Sequence, residues 1–338
     1  MERVDLSPKA VSQIINGKAL YTPETALRFE RVLGINASIW SSMVEHYQLF
    51  EARREQQRKL QEERVATWVR RFPVADLKRL KILPETRKSA ELAEALFRFL
   101  GVSSIEAWEN YTAGLAAAFR QSKTFTVSRD SVAVWLALAE HEADKIETEP
   151  FDKKRCIAAL RDIRTLTTQT PAEFYPRMVE LLSGAGVAFV VVPELKGCRI
   201  SGATRWITPT KAMIALSLRY KRNDHFWFTF FHEAGHILLH GKKVFIHEET
   251  RGSRKEETEA DEYAGNALIP KGEYRKFVAG GRFFADNIRQ FAQQVGIHPG
   301  IVVGRLQHDG LLDYRYQNEL KEKFDASIDL QRAASRRI

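Results

Sequence analysis

Cysteine is nearly absent: the 338 residues include only Cys156 and Cys198. Two thiols cannot build a disulfide framework, and no C-x-x-C spacing is present to hold zinc through thiolates. The expected location is the reducing cytoplasm. Long apolar runs are missing too. The longest, residues 186–193 and 226–231, fall far short of the ~20 residues that cross a bilayer, so no membrane partner is expected. The opening Met1-Glu2-Arg3-Val4-Asp5 has no apolar stretch of the secretory kind. Neither sign of charge dominates. The 52 Lys+Arg face 43 Asp+Glu, a mixed surface with net charge +9 that is compatible with nucleic acid without pointing to it. At 44% hydrophobic and 10% aromatic the chain is composed to fold, and its length predicts two or three domains.

The first fifty residues read as short, well-punctuated helices. Ser7-Pro8 is an N-cap followed by proline at the first helical position, and Asn16-Gly17 is a left-handed stop; Thr22-Pro23 and Gly34 bracket a second helix. In the first of these, Val11, Ile14 and Ile15 share one face, opposite Lys9, Ser12, Gln13 and Asn16. Residues 38–71 read as a long solvated helix laced with i,i+4 charge pairs. Helical periodicity then continues in pieces divided by Pro84, Gly101, Pro150 and Pro171, with no motif. Val132, Trp135, Leu136, Leu138 and Ala139 read as the core face of one helix. After Gly186 the pattern changes to short β-rich runs at 187–193, 199–207 and 213–218, and helices return at Asp224, near Lys255 and near Phe284. The expected architecture is multidomain: an all-α N-terminal segment (1–50), an all-α connecting segment (51–175), an α+β domain (176–315) and a C-terminal tail (316–338).

One motif carries chemistry. His232-Glu233-Ala234-Gly235-His236 is an H-E-x-x-H sequence within a helical stretch. A spacing of four puts both imidazoles on one face, a turn apart, with Glu233 beside them. The helix is apolar nearly all round, so these groups should be buried and in need of a partner such as a divalent cation. A catalytic zinc site needs a third protein ligand and an open position. The acidic helix from Lys255 offers Glu257, with Glu256 and Glu259 as alternatives and Glu262 read as solvated. Glu257 and Asp261 are four apart, which lets one ligate while the other accepts the second N–H of a ligand histidine.

His-Glu-x-Gly-His-x-x-Leu-His (232–240) followed by Glu-x-x-Ala-Asp-x-Tyr-Ala-x-x-x-Leu-Ile-Pro (257–270) resembles the ImmA/IrrE family of metallopeptidases. The resemblance extends from about Gly197 to about Leu312. It implies a gluzincin-like fold with His232, His236 and Glu257 as zinc ligands and Glu233 as general base. The chemistry expected is endopeptidase cleavage of a regulatory protein, a repressor or antitoxin, by Glu-assisted attack of zinc-bound water. Mn2+ or Fe2+ also suits two histidines and a carboxylate. Arg219, Tyr220, His240 and Tyr263 are the candidates to steady the developing oxyanion, with His240 also read as a support for the ligands.

Residues 6–34, followed by Trp40, resemble the Xre-type helix-turn-helix of HigA-like antitoxins. The resemblance implies that Lys9, Ser12, Gln13, Asn16 and Lys18 face operator DNA, and that a toxin and a second copy of the chain are partners. Only Met1 to Leu6 stand before Ser7, so the module is shorter than that family's at its start. A small helical bundle with one wet face reads the same residues equally well. The alternative function is therefore a DNA-binding regulator whose zincin-like domain is a non-catalytic scaffold. Residues 288–306, a helix, a glycine turn and a helix, read as a brace behind the metal site.

Overall fold

The structure is a computed structural model that describes residues 2–119, 129–217, 221–241, 245–248 and 255–323. In chain order its helices before the sheet are α1 (Pro8–Ile15), α2 (Pro23–Leu33), α3 (Ala37–Leu60), α4 (Glu63–Val69), α5 (Val74–Arg79), α6 (Ser89–Leu100), α7 (Ile105–Phe119), α8 (Arg129–Asp144), α9 (Lys153–Thr165) and α10 (Pro171–Ser183). Strands β1 (Val187–Val192), β2 (Ile200–Thr208) and β3 (Lys211–Ser217) follow, then α11 (Asn223–Leu239), β4 (Phe245–Glu248), α12 (Lys255–Leu268), α13 (Lys271–Ala279), α14 (Ala285–Val295) and α15 (Pro299–His308). The chain is thus mostly helical toward its N-terminus and α+β toward its C-terminus. No described helix is long and apolar enough to cross a membrane. Cys156 and Cys198 are both buried.

Backbone contacts divide the chain into two compact units, Met1–Val69 with Pro84–Leu96, and Arg70–Leu83 with Phe97–Ile338. The expected boundaries at residues 50 and 175 do not coincide with this division. In the first unit the start signals act as caps: Ser7 Oγ accepts from Ala10 N at 3.1 Å and Thr22 Oγ1 from Thr25 N at 3.3 Å. Tyr21, Phe29 and Trp40 pack together with ring centroids 5.3–6.3 Å apart. Neither α1 nor α3 buries a single residue.

In the second unit the sheet order is β1-β3-β2-β4, with β1 parallel to β3 and the other pairs antiparallel. Strand alternation gives the sheet two apolar faces. Val187, Phe189, Ala212, Ile214 and Leu216 join the core built on α10 and α11. Ala188, Val190, Met213 and Ala215 are buried on the other side, where α8 packs. The α8 stripe read from the sequence widens accordingly: ten of its sixteen residues are buried, including Asp130. Asp130 accepts from Arg71 Nε and Nη2 at 2.9 and 3.0 Å and from Trp108 Nε1 at 2.8 Å, joining α7, α8 and the segment before α5. This packing places much of the expected connecting segment in the same unit as the sheet. Residues 288–306 fold as α14, a left-handed turn at Gly296, and α15, which packs against α11.

Candidate metal centre

Helix α11 buries 14 of its 17 residues, because sheet, α12 and α15 all pack on it. Phe174, Trp227, Phe189 and Phe230 form the aromatic bed beneath it, with Phe174 and Trp227 centroids 4.8 Å apart and Phe189 and Phe230 centroids 5.4 Å apart. Helix α12 crosses close at Gly235. A methyl group there would lie 3.3 Å from Ala260 Cα and 3.2 Å from Tyr263 Cδ1, so glycine in the H-E-x-x-H motif is what lets the two backbones approach.

That crossing brings His232, His236 and Glu257 together, with ligand atoms all within 4.8 Å of one another. The two Nε2 atoms are 3.0 Å apart, Glu257 Oε2 is 3.3 Å from His232 Nε2, and Glu257 Oε1 is 3.6 Å from His236 Nε2. The far side of each ring is held. His232 Nδ1 lies 2.8 Å from Asp261 Oδ1; His236 Nδ1 lies 2.9 Å from His240 Nδ1, whose own Nε2 is 3.0 Å from Glu259 Oε2. Glu256 and Glu262 supply none of the three converging ligand atoms.

These contacts test whether the residues fit a metal. A carboxylate only accepts, so Asp261 takes the Nδ1 proton of His232 and Glu259 takes the Nε2 proton of His240. With one proton on each ring, His240 Nδ1 then accepts from His236 Nδ1. When both rings are neutral, the facing Nε2 atoms are lone pairs beside a carboxylate. Two imidazole nitrogens and a carboxylate in this arrangement could hold a metal ion, and this donor set suits zinc.

Electrostatics agree. Burial lowers the affinity of His232 for a proton, but its hydrogen bonds to Asp261 and Glu257 outweigh that and raise it to about 9. Burial would raise Glu257, yet hydrogen bonds to the two histidines and their charge hold it well below the usual carboxylate range. In the absence of metal, a proton therefore substitutes for the cation. Burial lowers His236, partly offset by Glu257.

Glu233 is fully buried. Its Oε2 accepts from Thr204 Oγ1 at 2.6 Å, while its Oε1 has no hydrogen-bond partner among the described residues. Burial raises it to about 8, against the lowering effects of His232 and Thr204. The seat comes from β2, on which Gly202 and Thr204 point to the same face. A methyl group at Gly202 would stand 2.7 Å from Glu233 Oε1 and 2.8 Å from Thr229 Cγ2. A carboxylate held near neutral pH with one oxygen uncommitted can take and return protons.

The other expected site residues fall elsewhere. Tyr263 is not brought to the cluster: it is turned toward Gly235, and burial pushes it up to about 12, with Cys156 among its neighbours. Two positions after Asp261, it sits on the opposite side of α12. Arg219 and Tyr220 lie outside the described residues. Lys9, Ser12, Gln13 and Asn16 lie along α1 with Lys18 just beyond it, all in the first unit; Lys9, Ser12, Asn16 and Lys18 are exposed and Gln13 half-buried. Asn16 Nδ2 turns back to donate to Ser12 O at 2.7 Å. Sequence reasoning missed Thr204, Gly202 and the contact made by Glu259. Of these only Gly202 leaves a signal, as an isolated glycine within a strand.

Residues 195–307 match the IrrE N-terminal-like domain family (Peptidase_M78). The match spans β2, β3, α11, α12 and most of α15, and so contains the whole metal centre. No helix-turn-helix family was detected. No curated protein matches the chain.

Proposed function

We propose that the protein is a zinc-dependent endopeptidase. The observation that carries this reading is the convergence of two imidazole nitrogens and a carboxylate beside a buried, half-committed Glu233. A divalent ion bound there supplies Lewis acidity, which activates water and polarises a carbonyl. The chain's own residues do the rest. Asp261 and His240 orient the two ligand rings. Thr204 fixes one oxygen of Glu233 so that the other takes the proton of the attacking water and later delivers one to the leaving amine. The resemblance of residues 6–34 to antitoxin modules supports a regulatory protein, a repressor or antitoxin, as the substrate.

A second reading, a DNA-binding regulator with the zincin-like domain as scaffold, draws on the exposed Lys9, Ser12, Asn16 and Lys18 at α1. Operator DNA, a toxin and a second copy of the chain would be its partners. One set of measurements separates the two. Elemental analysis should find close to one zinc per chain in wild type and loss of it in His236→Ala and Glu257→Ala. Glu233→Gln should keep the zinc and lose cleavage of a peptide library read by mass spectrometry. Cleavage that survives Glu233→Gln sinks the base assignment; zinc bound without cleavage in wild type favours the regulator.

A further inference from the structure

The two histidines of the metal centre are held from behind in different ways. His232 meets a carboxylate directly, whereas His236 reaches one only through a second imidazole. His240 is the C-cap residue of α11, where its backbone N–H donates to His236 O at 3.1 Å. A helix end ordinarily faces water, yet this side chain is only 4% exposed. The ring lies between His236 of α11 and Glu259 of α12, within 3.0 Å of each. Glu259 comes to it from α12, the helix that also supplies Glu257 and Asp261. Lys255 Nζ stands 3.6 Å from the other oxygen of Glu259, which leaves Oε2 to the imidazole.

We infer that His240 and Glu259 are positioning residues: Glu259 fixes the proton on His240 Nε2, His240 Nδ1 then accepts the Nδ1 proton of His236, and His236 Nε2 is thereby held as a lone pair toward the metal. Free imidazole side chains in water prefer the opposite tautomer, with the proton on Nε2, so His236 needs this support to present a ligand without first giving up a proton. Nothing is oxidised or consumed; one proton stays on each ring. The inference rests on the metal-binding reading proposed above. It also makes α12 a single rigid carrier of one ligand and of the terminal carboxylate behind each histidine. Partners of this kind characteristically change metal affinity ten- to a hundredfold.

The test uses the full chain with histidine side chains labelled with nitrogen-15. Zinc dissociation constants are measured by competition with a chromophoric chelator, and long-range proton–nitrogen spectra of the metal-free protein read the His236 tautomer. His240→Ala and Glu259→Ala should each weaken zinc binding about ten- to a hundredfold. The His236 proton should move from Nδ1 to Nε2 in His240→Ala. Glu259→Gln should stay within about threefold of wild type, because the amide oxygen accepts the same proton. Zinc binding unchanged in both alanine variants, while His236→Ala abolishes it, overturns the relay and leaves the metal centre standing. A wild type that binds zinc no better than His236→Ala overturns the metal centre and the relay with it. If His240→Ala fails to fold, the exposed-face variant Glu259→Ala and the wild-type spectrum decide: His236 protonated on Nε2 in wild type overturns the assignment.

Discussion

Helices α3 and α11 both carry histidine and several aromatic side chains, yet α3 buries no residue and α11 buries fourteen of seventeen. His46 of α3 is exposed and meets the hydroxyl of Ser42, one turn back, at 3.2 Å. His232 and His236 of α11 are wholly enclosed, and both nitrogens of each ring lie within 3.0 Å of another polar side-chain atom. The difference lies in what flanks each helix. After Phe50, α3 runs into Glu51, Arg53, Arg54, Glu55, Arg58 and Lys59, which hold it in water. No such charged stretch interrupts α11 between Phe226 and Leu239, so sheet and helices close over it. Burial changes what ordinary side chains can do, because removing water is what raises Glu233 to about 8 and lowers His236.

The comparison breaks first where α11 is packed. Trp227 is fully buried between Phe174 and Phe230, so Trp227→Ala should lower the unfolding free energy by about 3–5 kcal/mol, read from the urea midpoint. A midpoint shift below a third of that would mean that the α11 core is far looser than its burial indicates. Next comes the seat of the base. Gly202→Ala places a methyl group 2.7 Å from Glu233 Oε1 and 2.8 Å from Thr229 Cγ2, so both side chains must shift, the buried and β-branched threonine less readily. Stability should therefore fall by about 1–3 kcal/mol, the usual range of overpacking costs. Peptide hydrolysis should fall about a hundredfold, as when a general base is displaced. Hydrolysis at the wild-type rate in Gly202→Ala would separate Glu233 from the proton transfer.

Much of this site is legible in the sequence because helical spacing is a local rule. A spacing of four from His232 to His236 puts both rings on one face, and the same rule relates Glu257 to Asp261. The helix, the first three strands and the apolar stripe of α8 follow from periodicity in the same way. Non-local contacts leave no such trace. Thr204 is an ordinary strand threonine until β2 is laid under α11, and Glu259 is one of several acids on α12 until the helices cross. Strand β4 is missed because four residues, Phe245–Glu248, are too few to show alternation and become a strand only by pairing with β2. The grouping of α8 with the sheet is likewise non-local, made by apolar packing on the strands, and Asp130 ties α7 and α8 together through Trp108, 22 residues away.

Protons sharpen the comparison further. Without metal, His232 is raised to about 9, so a metal ion arriving at neutral pH must displace its Nε2 proton. The sign follows: each unit of pH below that value protonates the ligand tenfold more and weakens apparent zinc binding up to tenfold, and the dependence flattens as pH rises past about 9. Competition titrations at pH 6.5, 7.5 and 8.5 should show roughly this slope, with zinc uptake releasing a proton. Affinity independent of pH over that range would mean that His232 is already deprotonated and that Asp261 and Glu257 do not hold its charge.

The smallest effect is predicted on α3. Ile39, Met43, Tyr47 and Phe50 fall within one arc of that helix, 48–59% exposed, and bury little that a polar residue would uncover. Phe50→Ser should therefore change the urea midpoint by no more than the equivalent of about 0.5 kcal/mol, as at other surface positions. The same substitution at Phe230, which is fully buried, removes a side chain enclosed by Trp227, Phe189 and Phe231 and should cost several times more. Equal losses at the two positions would show that the α3 arc is covered in solution. A loss at Phe50 that grows with protein concentration would assign the covering surface to another copy of the chain.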